Sequence, residues 1–369
     1  MIQPGTPIAA LDTPCLLVDL DRMEANIRSW QAAIAASGVS LRPHVKTHKV
    51  PAIAHMQLEA GAAGLTVAKV AEAEVFAAHG CRDIFIAYQV VGPEKWRRVA
   101  ALARDHTLIV GIDSPVGARG LSAAAVAADT TVRVRIEIDT GLRRSGVLPD
   151  QATALCRLAL TLPGLELDGI FTFRGVSFSG AGGRAAAELG REEGEQMAAL
   201  ATRVRGAGIP IRTVSVGSTP TARSAAQVPG VTEVRPGTYV FGDYMMAGRG
   251  HMPYEEVALT ILCTVVSRPA SDLATVDGGS KTFCGDVAPD RQVLQGYACA
   301  VGMEAYVERM SEEHGVVRLG PGVDPQVGDR IAFYPIHVCT AVNLADELIG
   351  VRNGRVEQVW PVLARGKRT

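Results

Sequence analysis

Between about residues 41 and 240 the chain repeats one pattern. A short β-branched apolar run is followed by an Ala-rich stretch with apolar positions at helical spacing. Such an alternation predicts parallel strands joined by crossover helices. Eight strands are predicted, over 41–46, 64–70, 84–91, 108–114, 132–139, 168–173, 212–218 and 233–240. The helices between them include 70–80, 93–105, 151–163 and a long one over 183–208, several with Gly or Pro near an end as a stop signal. Eight strands in about 200 residues match an α/β fold of the (β/α)8 TIM-barrel type, although an open doubly wound sheet alternates in the same way. Polar residues favour the barrel, because they gather after the predicted strand ends, where such barrels place their chemistry.

After about residue 246 the pattern changes to short alternating runs separated by Gly, Pro and Asp, which predicts an antiparallel β domain. In "VRNGRV", Asn353 and Gly354 predict a tight hairpin. The expected division is an N-terminal segment, 1–22, packing on the β domain, then the barrel, 23–245, and the β domain, 246–369.

Composition narrows the partners. Of 369 residues, 47% are hydrophobic and 20% charged, as in an ordinary globular protein. A formal net charge of -1 gives no reason to expect nucleic acid or an anionic membrane surface as a partner. No signal peptide or membrane-spanning run is evident, so a cytoplasmic location is expected. The seven cysteines include no CxxC pair and predict neither a disulfide framework nor a structural zinc site.

Two segments suggest a phosphate site. Gly217, Ser218 and Thr219 stand at a strand-to-helix junction, where free backbone N–H groups suit an anion; a simple Ser/Thr helix cap before Pro220 reads the same way. Gly237, in "RPGTY", also permits close backbone approach and strengthens the phosphate reading. In "SLRPHVKTHKV", Lys46 sits at a predicted strand end with His44 and Arg42 at i−2 and i−4 on the same strand face. Desolvation and neighbouring cations lower a lysine's pKa and suit it to Schiff-base chemistry; an exposed basic strand end is the alternative. A Schiff-base lysine with a phosphate cradle is what pyridoxal phosphate requires. Finally, His337 and Cys339 are two apart on a predicted strand, so both side chains would point to one face and could share an ion.

In order along the chain, "DTPCLLVDLDRMEANI", "RPHVKTHK", "IEIDTGLRRSGV", "SVGSTPT", "EVRPGTYVFGD", "DGGSK" and "HVCTAVNL" resemble the D-threonine aldolase and D-serine dehydratase family of alanine-racemase-like enzymes. The resemblance implies a barrel, a β domain, a homodimer, and Lys46 carrying pyridoxal 5'-phosphate while also acting as base at Cα. It implies Arg144 near the cofactor ring, with Arg143 its adjacent competitor. It implies phosphate contacts from Ser218, Thr219, Gly237, Thr238 and Tyr239, with His44 supporting Lys46. It also implies a divalent metal on His337 and Cys339, for which the thiolate favours zinc over manganese or magnesium.

The substrate implied is a D-3-hydroxy amino acid. Elimination of the β-hydroxyl to a 2-oxo acid and ammonia is preferred over retro-aldol cleavage to glycine and an aldehyde. A racemase or a non-catalytic cofactor-binding protein is the further alternative. One departure stands out: relatives often carry a histidine near the strand-six loop, where this chain has Arg174 and Val176. Arg174 is the weak candidate there for binding an anionic substrate group; a salt-bridged loop arginine is the plainer reading.

Overall fold

The computed structural model describes residues 2–175, 185–288 and 293–369. The first strand, β1 (Cys15–Asp19), enters the β domain. The barrel strands follow: β2 (Ser40–Leu41), β3 (Leu65–Val67), β4 (Asp83–Gln89), β5 (Thr107–Ile112), β6 (Val132–Glu137), β7 (Leu165–Phe171), β8 (Thr213–Val216) and β9 (Glu233–Val234). They form one parallel sheet in the order β2-β9-β8-β7-β6-β5-β4-β3.

The ends of that sheet meet just beyond β2. His44 bridges Thr66 in parallel, Thr66 N donates to Pro43 O at 2.8 Å, and Val45 N donates to Thr66 O at 2.9 Å. The predicted (β/α)8 ring is therefore closed. Several strands are shorter than expected, among them 64–70, which keeps only Leu65–Val67, and 212–218, which keeps Thr213–Val216; 41–46 stops at Leu41 and 233–240 at Val234. Pro43 and Pro236 bring no N–H to the ladder, and the chain leaves it for turns. Helices 51–59, 93–102 and 115–127 each begin on a proline, a residue whose missing N–H costs nothing in a first helical turn. The long helix spans Ala186–Gly206 and packs Met197, Leu200, Ala201 and Val204 into the barrel core. The start of its predicted range lies outside the described residues.

The β domain contains β10 (Leu259–Ala270), β11 (Leu273–Val276), β12 (Ala298–Ala300), β13 (Ala305–Met310), β14 (Gly315–Leu319), β15 (Arg330–Pro335), β16 (Glu347–Arg352) and β17 (Arg355–Pro361). Strands β10 to β15 close on themselves, because β10 pairs with both β15 and β11. β1 joins β10 antiparallel and β16 parallel, the one parallel pairing in this sheet. Asn353 and Gly354, both at positive φ, make the two-residue turn between β16 and β17 that their sequence predicts.

One helix, Leu20–Ala35, ties the two bodies together. Its first half places Leu20, Met23 and Ile27 in the β-domain core, and its second half places Trp30 and Ile34 in the barrel core. The boundary expected at residue 22 thus falls inside a continuous helix. The chain also returns to the barrel at its far end, where Ala364 packs into the barrel core.

The barrel interior holds a buried ion network centred on Glu233. Its carboxylate accepts from Arg42 Nε at 2.7 Å, Arg135 Nη1 at 2.6 Å and Ser215 Oγ at 2.6 Å, while Arg135 Nε also reaches Asp168 at 2.6 Å. Burial pushes the Glu233 pKa up, but the two guanidiniums outweigh it and hold the carboxyl well below the usual range. A depressed carboxylate stabilises the fold above its unfolded pKa of about 4.3, and that contribution is lost as pH falls toward the folded value. Glu233→Gln is expected to destabilise the protein by about 3–5 kcal/mol at neutral pH, because it removes the buried carboxylate that the Arg42 and Arg135 guanidiniums share and leaves each with a single acid, Asp83 and Asp168. Urea unfolding checks this, and the gap between wild type and variant is expected to narrow below about pH 4.

Candidate active site

The strands deliver their functional side chains to one place. A cavity of about 660 Å³ opens beyond the C-terminal ends of the barrel strands, with a wall of β-domain residues. His44, Lys46, Arg144, Gly217, Ser218 and Thr219 line it; so do Gly237, Thr238, His337 and Cys339. Two expected residues do not. Tyr239 is buried behind the wall, its ring 5.2 Å from that of Trp30 and its hydroxyl accepting from Gln57 Nε2 at 2.9 Å. Arg174 is not in the lining, although Phe173 and Gly175 are: its Nη1 lies 3.1 Å from Glu192, and its backbone N–H donates to Glu193. It is a salt-bridged loop arginine, so the anion contact expected of it is not placed here. Val176 lies outside the described residues.

Lys46 stands in the turn that follows the His44–Thr66 bridge, not on a strand face. Arg42 is consequently not its neighbour but belongs to the Glu233 network. His44 remains beside Lys46, whose N–H approaches His44 Nδ1 at 3.4 Å. Burial and then the Lys46 ammonium push the His44 pKa well below its usual value, so this imidazole is neutral at physiological pH.

The rest of the turn is pinned by separate elements. His48 is buried edge-on to Phe76 and Phe241. Its Nδ1 accepts from Val50 N at 3.1 Å, which assigns the proton to Nε2 and directs it to Gln57 Oε1 at 3.2 Å. Burial lowers the His48 pKa to about 4. Lys49 is paired with Glu72 at 2.7 Å. Of the two histidines of the basic stretch, His44 lines the cavity and His48 does not.

The cradle for an anion is made by two loop tips. Backbone N–H groups of Thr219, Gly237 and Thr238 have no partner among the described residues. Unpaired donors at adjoining loops are suited to phosphate oxygens. Gly217 adopts φ +82°, and a Cβ on Gly237 would lie 2.9 Å from both His44 O and Thr47 Oγ1. The second glycine is needed so that the loop can lie against the Lys46 turn. The residues present therefore fit a phosphorylated aldehyde cofactor: an amine and a neutral imidazole beside three unpaired donors.

Two arginines border the cavity, and they differ in commitment. Arg235 is buried and donates through Nη2 to Thr172 O and through Nη1 to Ser215 Oγ, both short contacts. Burial lowers its pKa to about 10. Arg144 is exposed, stacks over Phe173 with 4.8 Å to the ring centroid, and makes no ion pair among the described residues.

His337 and Cys339 meet, but not as predicted. The strand ends at Pro335 and a helix spans Val338–Leu344, so His337 occupies its N-cap position and Cys339 its first turn. Pro335 contributes no ladder donor, and the N–H of Val338 is taken by Asp243 Oδ2 at 3.1 Å. The same buried carboxylate caps the helix Tyr244–Gly248 through Met246 N at 2.8 Å. Asp286 accepts from His337 Nδ1 at 2.7 Å and from Thr340 Oγ1 at 2.7 Å, which leaves His337 Nε2 for the cavity side.

Burial opposes a charge on His337, but the Cys339 thiolate and the Asp286 carboxylate outweigh it and raise the pKa to about 11. Burial likewise raises Cys339, and His337 more than reverses it. One proton is thus held by an imidazole–thiolate pair, and a divalent cation would replace it. Imidazole and thiolate suit zinc, and a carboxylate behind the histidine is a recurrent support for zinc ligands. Among the described residues no cluster of three or more His, Cys, Asp or Glu ligands occurs.

Asp286, Asp243, Arg235 and Thr47 were not legible as site residues. Asp243 did carry a signal, an Asp ahead of an apolar helical run, which marks an N-cap. Asp286 carried none. No helix among the described residues is long and apolar enough to cross a membrane.

Comparisons with known proteins agree with this architecture. The family model described as "Alanine racemase, N-terminal domain" matches residues 18–245, and that described as "Putative serine dehydratase domain" matches 258–351. The chain is 37% identical to a D-threonine aldolase of an Arthrobacter species, over 99% of this chain and 95% of that one. It is also 37% identical to a D-threo-3-hydroxyaspartate dehydratase of Delftia sp. strain HT23, over 90% and 92%. A solved D-threo-3-hydroxyaspartate dehydratase with one cysteine replaced by alanine, in the metal-free form, superposes with a TM-score of 0.88 at 34% identity, covering 96% of this chain and 98% of that one. The same two-body fold, matched along nearly its whole length by such lyases, places this chain in the family of alanine-racemase-like pyridoxal phosphate enzymes to which those aldolases and dehydratases belong.

Proposed function

We propose that this chain is a pyridoxal phosphate- and divalent-metal-dependent lyase that removes the β-hydroxyl of a D-3-hydroxy amino acid, releasing a 2-oxo acid and ammonia. The observation that carries the reading is the convergence of Lys46, the unpaired N–H cradle and the His337–Cys339 pair on one cavity. When bound, the cofactor supplies an electron sink for charge developing at the substrate Cα. A metal, which His337 and Cys339 would hold, would supply Lewis acidity at the β-oxygen.

The chain's own groups do the rest. Thr219, Gly237 and Thr238, all lining the cavity, would hold the phosphate through their N–H groups. Lys46 Nζ, 5.9 Å from the Phe173 ring centroid, accepts the Cα proton. Neutral His44 beside it keeps that amine from facing a second full positive charge. Asp286 holds His337 in one tautomer. Arg144, in no ion pair among the described residues, suits an anionic group of cofactor or substrate. The departing hydroxyl leaves with a proton, and the released enamine hydrolyses, so the net products are isomeric with the substrate.

Retro-aldol cleavage to glycine and an aldehyde is the second reading, favoured by the identity to the Arthrobacter aldolase over nearly the whole chain. The protein is proposed to act as a homodimer, on family likeness alone.

Incubation with D-threonine, cofactor and zinc distinguishes the reactions. The expected product is 2-oxobutanoate; acetaldehyde with glycine identifies the aldolase, and inversion at Cα alone a racemase. Absence of all three, with D-serine and D-3-hydroxyaspartate as well, sinks the lyase reading. Lys46→Ala is expected to lose the yellow absorbance of the bound cofactor and about 10²- to 10⁴-fold in turnover. A chelator is expected to abolish activity and zinc to restore it, whereas full activity after exhaustive chelation removes the metal from the reaction.

A further inference from the structure

One side chain that joins the two halves of the site is left unused by the reaction scheme. Thr47, next to Lys46, is completely buried, and its Oγ1 lies 3.3 Å from Cys339 Sγ, 292 positions away in the chain. The geometry leaves that hydroxyl little freedom. A β-branched side chain has few rotamers, and Gly237 backs the oxygen so closely that a Cβ there would come within 2.9 Å of it. The backbone carrying Thr47 is equally constrained, by His48 to Gln57 on one side and by Lys49 to Glu72 beyond it.

We propose that Thr47 is a positioning residue for the metal pair. Its hydroxyl donates to the Cys339 sulfur, fixes the direction in which the thiolate meets the cation, and couples that direction to the turn bearing Lys46. The proposal rests on the reading that His337 and Cys339 hold the metal. A metal-binding cysteine is a thiolate and can only accept, so the donor must be the hydroxyl. Outer partners of this kind orient a ligand and temper its charge, and their loss typically costs about 10- to 100-fold in metal affinity. Cys339 has this support from Thr47 as His337 has its own from Asp286.

The test uses the full-length holoprotein with cobalt(II) in place of zinc, read by its near-ultraviolet thiolate-to-cobalt absorption and by competition with a chelator. Thr47→Val keeps the shape and removes the donor; Thr47→Ser keeps the donor. The valine variant is expected to bind cobalt about 10- to 100-fold more weakly and to shift the thiolate band to lower energy, since the sulfur is no longer drawn by a hydrogen bond. The serine variant is expected to retain the wild-type band.

A valine variant with wild-type affinity and an unshifted band overturns the proposal while leaving the metal pair intact. A wild-type protein without any thiolate band, or a Cys339→Ala variant that binds as tightly as wild type, overturns the metal reading and this proposal together. If the valine variant fails to fold, Thr47→Ala removes the same hydroxyl without adding bulk and is read in the same way.

Discussion

The parallel ring closes at one narrow seam, and the active-site geometry follows from it. β2 has only two residues, so it cannot reach β3 by an ordinary ladder. Closure falls instead to Pro43 and Val45, which exchange backbone hydrogen bonds with Thr66 beyond the strand end, while His44 N donates to Pro236 O on the other side. The residues that complete the barrel are thus the ones immediately before Lys46. A turn used to close a ring has little freedom, and the lysine it carries inherits that rigidity. His48 and Lys49 extend the constraint into the barrel core through partners that no cofactor or substrate need touch.

The second constraint is the joint between the bodies. The helix Leu20–Ala35 contributes to both cores, and Asp243 caps helices from both sides of the joint with one buried carboxylate. Burial raises the Asp243 pKa, and the backbone donors it accepts from counter that. Fixing the start of helix Val338–Leu344 in this way presents His337 and Cys339 to the barrel mouth. Had those residues continued the strand, alternate side chains would have faced one side of the sheet, with no guarantee that this side was the cavity. The helical turn brings imidazole and thiolate together and lets Asp286 support His337 and Thr47 support Cys339.

Much of this was legible from pattern alone. Eight β-branched runs alternating with Ala-rich helical segments announce a parallel barrel, because only strands buried on both faces read as continuous apolar runs. Asn353-Gly354 announces its hairpin for an equally local reason, since both residues tolerate the positive φ that the turn demands. Lys46, the 217–219 junction and Gly237 were identifiable because their chemistry resides in residue type and strand-end position. Less accessible was the extent of each strand: proline content at 43 and 236 should have shortened two of them, since a residue without an N–H ends a ladder.

By itself, the sequence determined the order of elements, the two-body division, and the residue types able to carry an amine, an anion cradle and a pair of metal ligands. Those properties are local, set by side-chain period and backbone preference. The tertiary structure alone decided which polar groups face the cavity. Tyr239 and Arg174, plausible by position, turn to Gln57 and Glu192, while Asp286, Asp243 and Thr47, none of them marked along the chain as a site residue, support His337, Cys339 and the turn between them. The reason is physical: a buried polar group must find a partner, and the partners available are set by segments tens to hundreds of residues away.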